Sequence, residues 1–96
     1  MSIAFLNDSY MPITEAKISP MDRGFLFGDG IYEVIPSYEG KLLGFNGHIT
    51  RMQEGLAGIG LGLQWTHQEW ETLCTKLASE NGNGNLGIYL QVSRGA

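Results

Sequence analysis

Two side chains that suit the recognition of small anions flank a glycine-rich corner in the first half of the chain. Tyr32 follows the corner Gly28-Asp29-Gly30 on a segment that reads as a strand, and Arg51 lies on the helix predicted next. A guanidinium is a planar, permanently charged fork suited to phosphate. These residues predict half of a binding site, in which Tyr32 and Arg51 face one cavity that a separate lobe closes.

The glycines on either side of Asp29 predict backbone angles or close approaches that a side chain would block. A purely structural turn is the alternative interpretation, because any tight corner can use Gly-Asp-Gly. A strand that leaves this corner at once would hold Tyr32 at a fixed place.

The neighbouring polar residues have less specific interpretations. Tyr32 alone is also typical of a half-buried strand aromatic. Glu33 is either a base or a solvated or salt-bridged strand residue, and the pair His48 and Arg51, three residues apart, is ordinarily a solvated helix face. His67, inside a capping turn, is given no role.

Other chemistries find little support. The two histidines have no carboxylate or cysteine at ligand spacing, so no metal site is expected. No dinucleotide or phosphate-loop glycine pattern occurs, and no Ser/His/Asp set can be assembled without arbitrary choice. Cys74 is the single cysteine; its helical neighbours indicate a small core residue rather than a nucleophile.

The composition is that of one folded domain. The chain has 96 residues, of which 43% are hydrophobic and 17% charged, and a net charge of −4. Its six basic residues are scattered, which argues against nucleic acid or an anionic membrane as the main partner. Neither a membrane-spanning apolar run of about 18 residues nor a secretory signal is present in the sequence, so the cytoplasm is the expected compartment.

Hairpins are predicted in the first half. The runs 3–6 and 10–13 flank Asn and Asp residues that tolerate turns, and 14–21 reads as a connection. Residues 31–38 alternate as a strand that places Tyr32 and Glu33 on opposite faces. A turn at Glu39-Gly40 leads to a returning strand over 41–45.

Two helices and a strand complete the prediction. Asn46 is the expected cap of the first helix. The glycines at 55, 58, 60 and 62 indicate either that this helix packs closely against another element or that it ends near Gly60. Thr66 and Glu69 form a capping box for the second helix, and 86–93 alternates as a final strand. The fold class is therefore α+β, a small antiparallel sheet with two helices.

In order, the runs 22–25, 27–34, 40–42, 48–52 and 88–95 resemble the class IV, fold-type IV pyridoxal-phosphate aminotransferases. The likeness covers essentially the whole chain. It is most similar to the N-terminal domain of the D-amino-acid branch, partly because Tyr32 stands where aminodeoxychorismate lyases usually have Phe.

The resemblance implies pyridoxal 5′-phosphate as cofactor, with its phosphate on Arg51 and the substrate carboxylate near Tyr32. It implies a homodimer that moves an amino group between a D-amino acid and a 2-oxo acid. The cofactor-bearing lysine would lie in a second domain beyond residue 96, so no catalytic residue is assigned within 1–96. Lys17, Lys41 and Lys76 are interpreted as surface charges.

Two enzyme alternatives remain within the family, aminodeoxychorismate lyase and branched-chain aminotransferase. A third alternative is a non-catalytic binding or dimerisation module, because the chain lacks a suitable lysine yet has the composition of a folded domain. The 96 residues by themselves are expected to be inactive.

Overall fold

The chain begins with the predicted hairpin, formed by β1 (Ile3–Leu6) and β2 (Ser9–Pro12). The computed structural model describes residues 2–96. Asn7 and Asp8 form the turn with φ of 47° and 70°, the left-handed angles that these two residue types tolerate best after glycine.

The segment after the hairpin contains a short helix that sequence reasoning missed. A 3-10 turn at Ile13–Glu15 precedes α1 (Arg23–Phe27). Asp22 caps α1 by accepting a hydrogen bond from the Gly24 amide at 2.8 Å, and Gly28 ends it in the left-handed conformation, with φ of 64°. Five residues are too few to display a helical apolar period.

The central strand is β3 (Gly30–Tyr38), close to its predicted bounds. Glu39 and Gly40 make the expected turn, both with positive φ, and β4 follows at Lys41–Leu42. The prediction that this strand continues to residue 45 is wrong, because Gly44 turns the chain with φ of 64°.

Gly44 also replaces the predicted helix cap. The helix α2 runs over Phe45–Gly58, with Gly44 at its N-cap position and without a side-chain cap bond. Asn46 therefore lies inside the first turn, and its assignment as the cap is wrong. The helix ends near Gly60, as one of the two interpretations of its glycines predicts, and Gly60 itself has φ of 76°.

The second helix and the last strand match their predictions. The helix α3 (His67–Glu80) begins with the reciprocal hydrogen bonds of Thr66 and Glu69 that define a capping box, and β5 covers Leu86–Ser93. The sheet order is β4-β3-β5, with both pairings antiparallel, while β1 and β2 form a separate two-stranded sheet. The α+β prediction is confirmed.

The core lies between one face of the sheet and the two helices. Along β3, Glu33, Ile35 and Ser37 are buried on this face, whereas Tyr32 and Val34 lie on the exposed face. The largest fully buried side chains are Ile35, Ile49, Met52, Leu56 and Cys74. The helix side of β3 therefore carries both the hydrophobic core and one buried carboxylate.

Candidate functional site

The two glycines of the corner serve different physical purposes. Gly28 has φ of +64°, and a β carbon added there would meet no atom within 4 Å, so this glycine supplies an angle. Gly30 supplies a close approach, because a β carbon there would lie 2.6 Å from the carbonyl oxygen of Val92. Both expectations drawn from the Gly-Asp-Gly sequence are confirmed.

Asp29 fastens this corner to the end of β5. Its Oδ2 accepts hydrogen bonds from Arg94 Nε at 2.7 Å and from Arg23 Nε at 3.1 Å. The Arg94 amide also donates to the Asp29 carbonyl at 3.0 Å. Hydrogen bonds from Arg94, and then from Arg23, hold the pKa of the Asp29 carboxyl below its ordinary value. Sequence reasoning missed this cluster, since Asp29 and Arg94 are 65 residues apart.

Glu33 binds the guanidinium of Arg51 through both carboxylate oxygens. Arg51 Nε donates to Oε2 at 2.7 Å and Arg51 Nη2 donates to Oε1 at 2.8 Å. The Glu33 side chain is only 8% exposed, whereas that of Arg51 is 70% exposed. The two-point contact fixes the plane of the guanidinium, while its third nitrogen, Nη1, has no hydrogen-bond partner among residues 2–96.

His48 completes this arrangement, with its Nδ1 2.8 Å from Glu33 Oε1. Hydrogen bonds from Arg51, and next from His48, lower the pKa of the Glu33 carboxyl from 4.5 to about 2. Glu33 is therefore ionised at neutral pH and is too weak a base to remove a proton. Of the alternatives for this residue, the salt-bridged strand residue is the one observed.

Tyr32 lies on the opposite face of β3. Its ring stacks on that of Tyr89, with centroids 5.7 Å apart and planes inclined by 16°. The residue is 63% exposed. The stacking limits the positions open to the ring and leaves much of the side chain accessible.

The expectation that Tyr32 and Arg51 face one cavity of this domain is wrong, because the Tyr32 side chain projects from one face of the sheet and Arg51, on α2, binds Glu33 on the other face. Strand alternation is the reason: Arg51 binds Glu33, and adjacent residues of a strand point to opposite sides. The roles predicted for Tyr32 and Arg51 individually stay predictions.

Both residues instead flank an open edge of β3. The strand β4 pairs only with Ser37 and Tyr38, so the first part of β3 has a neighbouring strand on one side only, namely β5. A molecule placed against this open edge could meet Tyr32 from one face of the sheet and Arg51 from the other.

The lysines and the cysteine have the environments expected from the sequence. Lys17, Lys41 and Lys76 are exposed, as interpreted from the sequence. Cys74 is fully buried, and burial raises the pKa of its thiol from 9.0 to about 11.

Between residues 2 and 96, no group of three or more His, Cys, Asp or Glu side chains could hold a metal ion. Within the same range, no helix combines the length and apolar character needed to cross a membrane.

Comparison with known proteins identifies the family. The family model for amino-transferase class IV matches residues 30–96. The D-alanine aminotransferase of Staphylococcus epidermidis is 43% identical over 96 residues, covering all of this chain and 34% of the relative. That of Listeria innocua is 38% identical over 90 residues, covering 94% of this chain and 31% of the relative. The chain belongs to the class IV aminotransferases.

Solved structures share the fold. A branched-chain amino acid aminotransferase of T.th., complexed with N-(5′-phosphopyridoxyl)-L-glutamate, superposes with a TM-score of 0.89 at 20% identity, over 99% of this chain and 34% of that one. The branched-chain aminotransferase of Thermoproteus uzoniensis gives a TM-score of 0.87, also at 20% identity, over 99% and 34% of the two chains. The chain spans about a third of the length of the curated relatives that it matches.

Proposed function

We propose that this chain is the N-terminal domain of a pyridoxal-phosphate-dependent transaminase that exchanges an amino group between a D-amino acid, such as D-alanine, and a 2-oxo acid. The observation that carries this proposal is the 43% identity to a D-alanine aminotransferase along the full chain. The branched-chain enzymes share the fold at 20% identity, which gives no comparable support for their substrates.

The residues on the helix side of β3 fit the phosphate end of the cofactor. Glu33 occupies Nε and Nη2 of Arg51 and leaves Nη1 directed away from the pair. A guanidinium held in one plane loses little side-chain entropy when it binds an anion, so it binds phosphate more tightly than a mobile one. Arg51 would hold the phosphate, and Glu33 would hold Arg51.

Tyr32 fits the recognition of the substrate carboxylate. A phenol hydroxyl donates one hydrogen bond, and stacking on Tyr89 keeps the ring on the exposed face of the sheet. The open edge of β3 adds main-chain groups, because Tyr32 and Val34 direct their amides and carbonyls away from β5. The main-chain hydrogen bond from the Arg94 amide to the Asp29 carbonyl fixes which residues of β3 are hydrogen-bonded to β5, because such pairs alternate along an antiparallel ladder.

The described residues lack one necessary group, an amine suited to carry the cofactor. The three lysines are exposed, whereas an amine that forms a Schiff base is activated by desolvation. We therefore assign the lysine that carries the cofactor and moves the alpha proton to a second domain following residue 96. Pyridoxal phosphate, when bound, would supply the electron-withdrawing ring that stabilises negative charge at the alpha carbon.

The intact protein is further proposed to be a cytoplasmic homodimer whose small-molecule partners are an amino acid and a 2-oxo acid. The resemblance implies the dimer. The length of the relatives supports a polypeptide about three times as long as this chain, since this chain covers 34% of the first of them.

Activity of the full-length protein tests the proposal. Incubation with D-alanine, 2-oxoglutarate and pyridoxal phosphate should yield pyruvate and glutamate, and L-valine should be a poor amino donor. Pyruvate release from aminodeoxychorismate, with no transfer from D-alanine, would contradict the proposal in favour of a lyase. A reading frame that ends at codon 96 would favour the non-catalytic module.

A further inference from the structure

Three side chains meet at the Glu33 carboxylate, and His48 is the one to which the proposed function gives no role. It lies on α2 three residues before Arg51, so the two side chains leave the same flank of the helix. The side chain of His48 is 24% exposed, against 70% for that of Arg51. Of the two partners of this carboxylate, the histidine is therefore the better enclosed.

The contact between His48 and Glu33 has a defined direction. Glu33 is ionised, because hydrogen bonds from Arg51, and next from His48, lower the pKa of its carboxyl to about 2. An ionised carboxylate only accepts hydrogen bonds, so the proton of this contact is on His48 Nδ1, 2.8 Å from Oε1. Arg51 Nη2 lies 3.5 Å from the same Nδ1, and these two donors share Oε1 as their acceptor.

The imidazole ring is held on both of its edges. Nδ1 faces Glu33, and the opposite edge lies beside Gly44, where an added β carbon would be 3.6 Å from Cδ2 and 3.8 Å from Nε2 of His48. Nε2 has no hydrogen-bond partner among residues 2–96. The Nδ1–H group is therefore the part of the ring that makes a polar contact within this domain.

The bond from His48 restricts the carboxylate that holds the guanidinium fork. Oε1 accepts from both His48 and Arg51, while Oε2 accepts from Arg51. The last torsion of a glutamate has only a broad preference of its own, and turning it would carry Oε1 away from Nδ1. Without His48, the carboxylate could turn and the exposed arginine could keep a single bond, which would leave the plane of its guanidinium free.

We propose that His48 is a positioning residue for the cofactor phosphate: its Nδ1–H fixes the carboxylate of Glu33, which in turn fixes the guanidinium plane of Arg51. The proposal rests on the proposed function for what Arg51 binds. The order of the fork is a property of the protein before any cofactor is present. His48 acts through Glu33 and needs no contact of its own with the phosphate.

Two substitutions at this position separate the donor from the bulk of the side chain. His48→Asn keeps an N–H donor as many bonds from the backbone as Nδ1 is, and it loses Nε2, which has no partner among residues 2–96. His48→Leu keeps the branch at Cγ and has no donor. A difference between the two variants therefore reports the Nδ1–H bond.

The order of the fork is measured first, on the full-length protein without cofactor. NMR relaxation of the Arg51 Nε–H group should show a rigid group in the wild type and in His48→Asn, and a mobile one in His48→Leu. A fork that stays rigid in His48→Leu would overturn the proposal, whatever reaction the protein catalyses. Urea titration of each variant establishes that the samples are folded under the conditions used.

Cofactor affinity then tests the consequence for binding. In fluorescence titrations, we expect pyridoxal phosphate to bind about 3- to 30-fold more weakly to His48→Leu than to the wild type. His48→Asn should recover most of this loss. Equal losses in the two variants, or none in His48→Leu, would overturn the proposal. His67→Leu, at the histidine on α3, is the control and should bind the cofactor as the wild type does.

A double-mutant cycle shows whether His48 acts through the fork. Arg51→Lys has no planar donor set to orient, so adding His48→Leu to it should weaken binding by less than about twofold. An undiminished effect of His48→Leu in that background would indicate a direct contact with the cofactor and overturn the proposal. If Arg51→Lys binds the cofactor as the wild type does, the proposed function loses its phosphate residue, while the relaxation measurement still decides whether His48 orders the fork.

Discussion

Glu33, on the central strand of the sheet, accepts two hydrogen bonds from Arg51, on α2, at 2.7 and 2.8 Å. The carboxylate is buried and the guanidinium is largely exposed. The pair therefore orients a cation at the surface while its counter-ion stays inside, an arrangement that leaves one guanidinium nitrogen available for an anion.

Replacing this carboxylate should cost stability. The change Glu33→Gln keeps the shape but removes the charge, and hydrogen bonds to charged groups contribute about 1.5–3 kcal/mol each in favourable settings. We expect the free energy of unfolding at pH 7 to fall by about 1–3 kcal/mol in urea titrations. The exposed Glu71→Gln on α3 is the matched control, and an equal effect of the two substitutions would contradict the prediction.

The same carboxylate should make stability depend on acid pH. The folded-state pKa of Glu33 is lowered from 4.5 to about 2, so its stabilising contribution is complete above about pH 4.5 and is lost as the pH falls toward 2. Urea titrations of the wild type across this range should show a loss of stability that is smaller in Glu33→Gln. If the free energy of unfolding fell with pH equally in both proteins, Glu33 would not be the source of the acid sensitivity.

The fork of Arg51, and not its charge alone, should bind the cofactor phosphate. In the full-length protein, Arg51→Lys keeps the charge but loses the planar donor set, and we expect pyridoxal phosphate to bind about 10- to 100-fold more weakly. Fluorescence titration measures this binding without turnover. Lys41→Gln, a change at another exposed cation, is the control, and an unchanged affinity of Arg51→Lys would remove Arg51 from the site.

Tyr32 should affect the substrate and not the cofactor. In the full-length protein, Tyr32→Phe removes one hydroxyl donor, for which we expect a rise in KM for D-alanine of about 2- to 10-fold. The affinity for pyridoxal phosphate should not change, since Tyr32 lies on the face opposite Arg51. Tyr38→Phe, further along the same face, should leave both quantities unchanged; equal kinetic effects of the two variants would show that Tyr32 has no special place.

The two corner glycines should respond differently to added methyl groups. Gly30→Ala forces a carbon against the Val92 carbonyl and should destabilise the domain by about 1–3 kcal/mol through overpacking. Gly28→Ala meets no atom, so only the left-handed angle opposes it, at about 1–2 kcal/mol. Gly62→Ala, with neither constraint, is the control. Since the two destabilisations overlap in size, the chemical shifts of Val92 distinguish the two causes. They should change in Gly30→Ala and not in Gly28→Ala.

The thiol of Cys74 should be unreactive in the folded protein. Burial raises its pKa to about 11, so at a pH of about 8 it is protonated and inaccessible to a disulfide reagent. Absorbance should show reaction only after urea unfolds the chain. Rapid modification in the absence of urea would place Cys74 at the surface.

The amino-acid sequence by itself determined the elements whose signals are local. The capping box at Thr66, the turn at Glu39-Gly40 and the alternation of β5 each depend on neighbours in the chain, so propensity and periodicity sufficed to predict them. The sequence also indicated that Gly28 and Gly30 answer either a positive backbone angle or a close approach, because glycine accepts both constraints more readily than any other residue.

Tertiary structure decided what those signals could not. The fork of Arg51 is held by Glu33, 18 residues away, and Asp29 binds Arg94 across 65 residues; contacts at such separations follow from packing and not from periodicity. The faces of the sheet were also decided there. Tyr32 and Arg51 were both correctly placed on their elements. However, α2 packs on the face of β3 that carries Glu33, and Arg51 binds Glu33 there. Tyr32 points to the opposite face, since successive side chains of a strand alternate between the two faces.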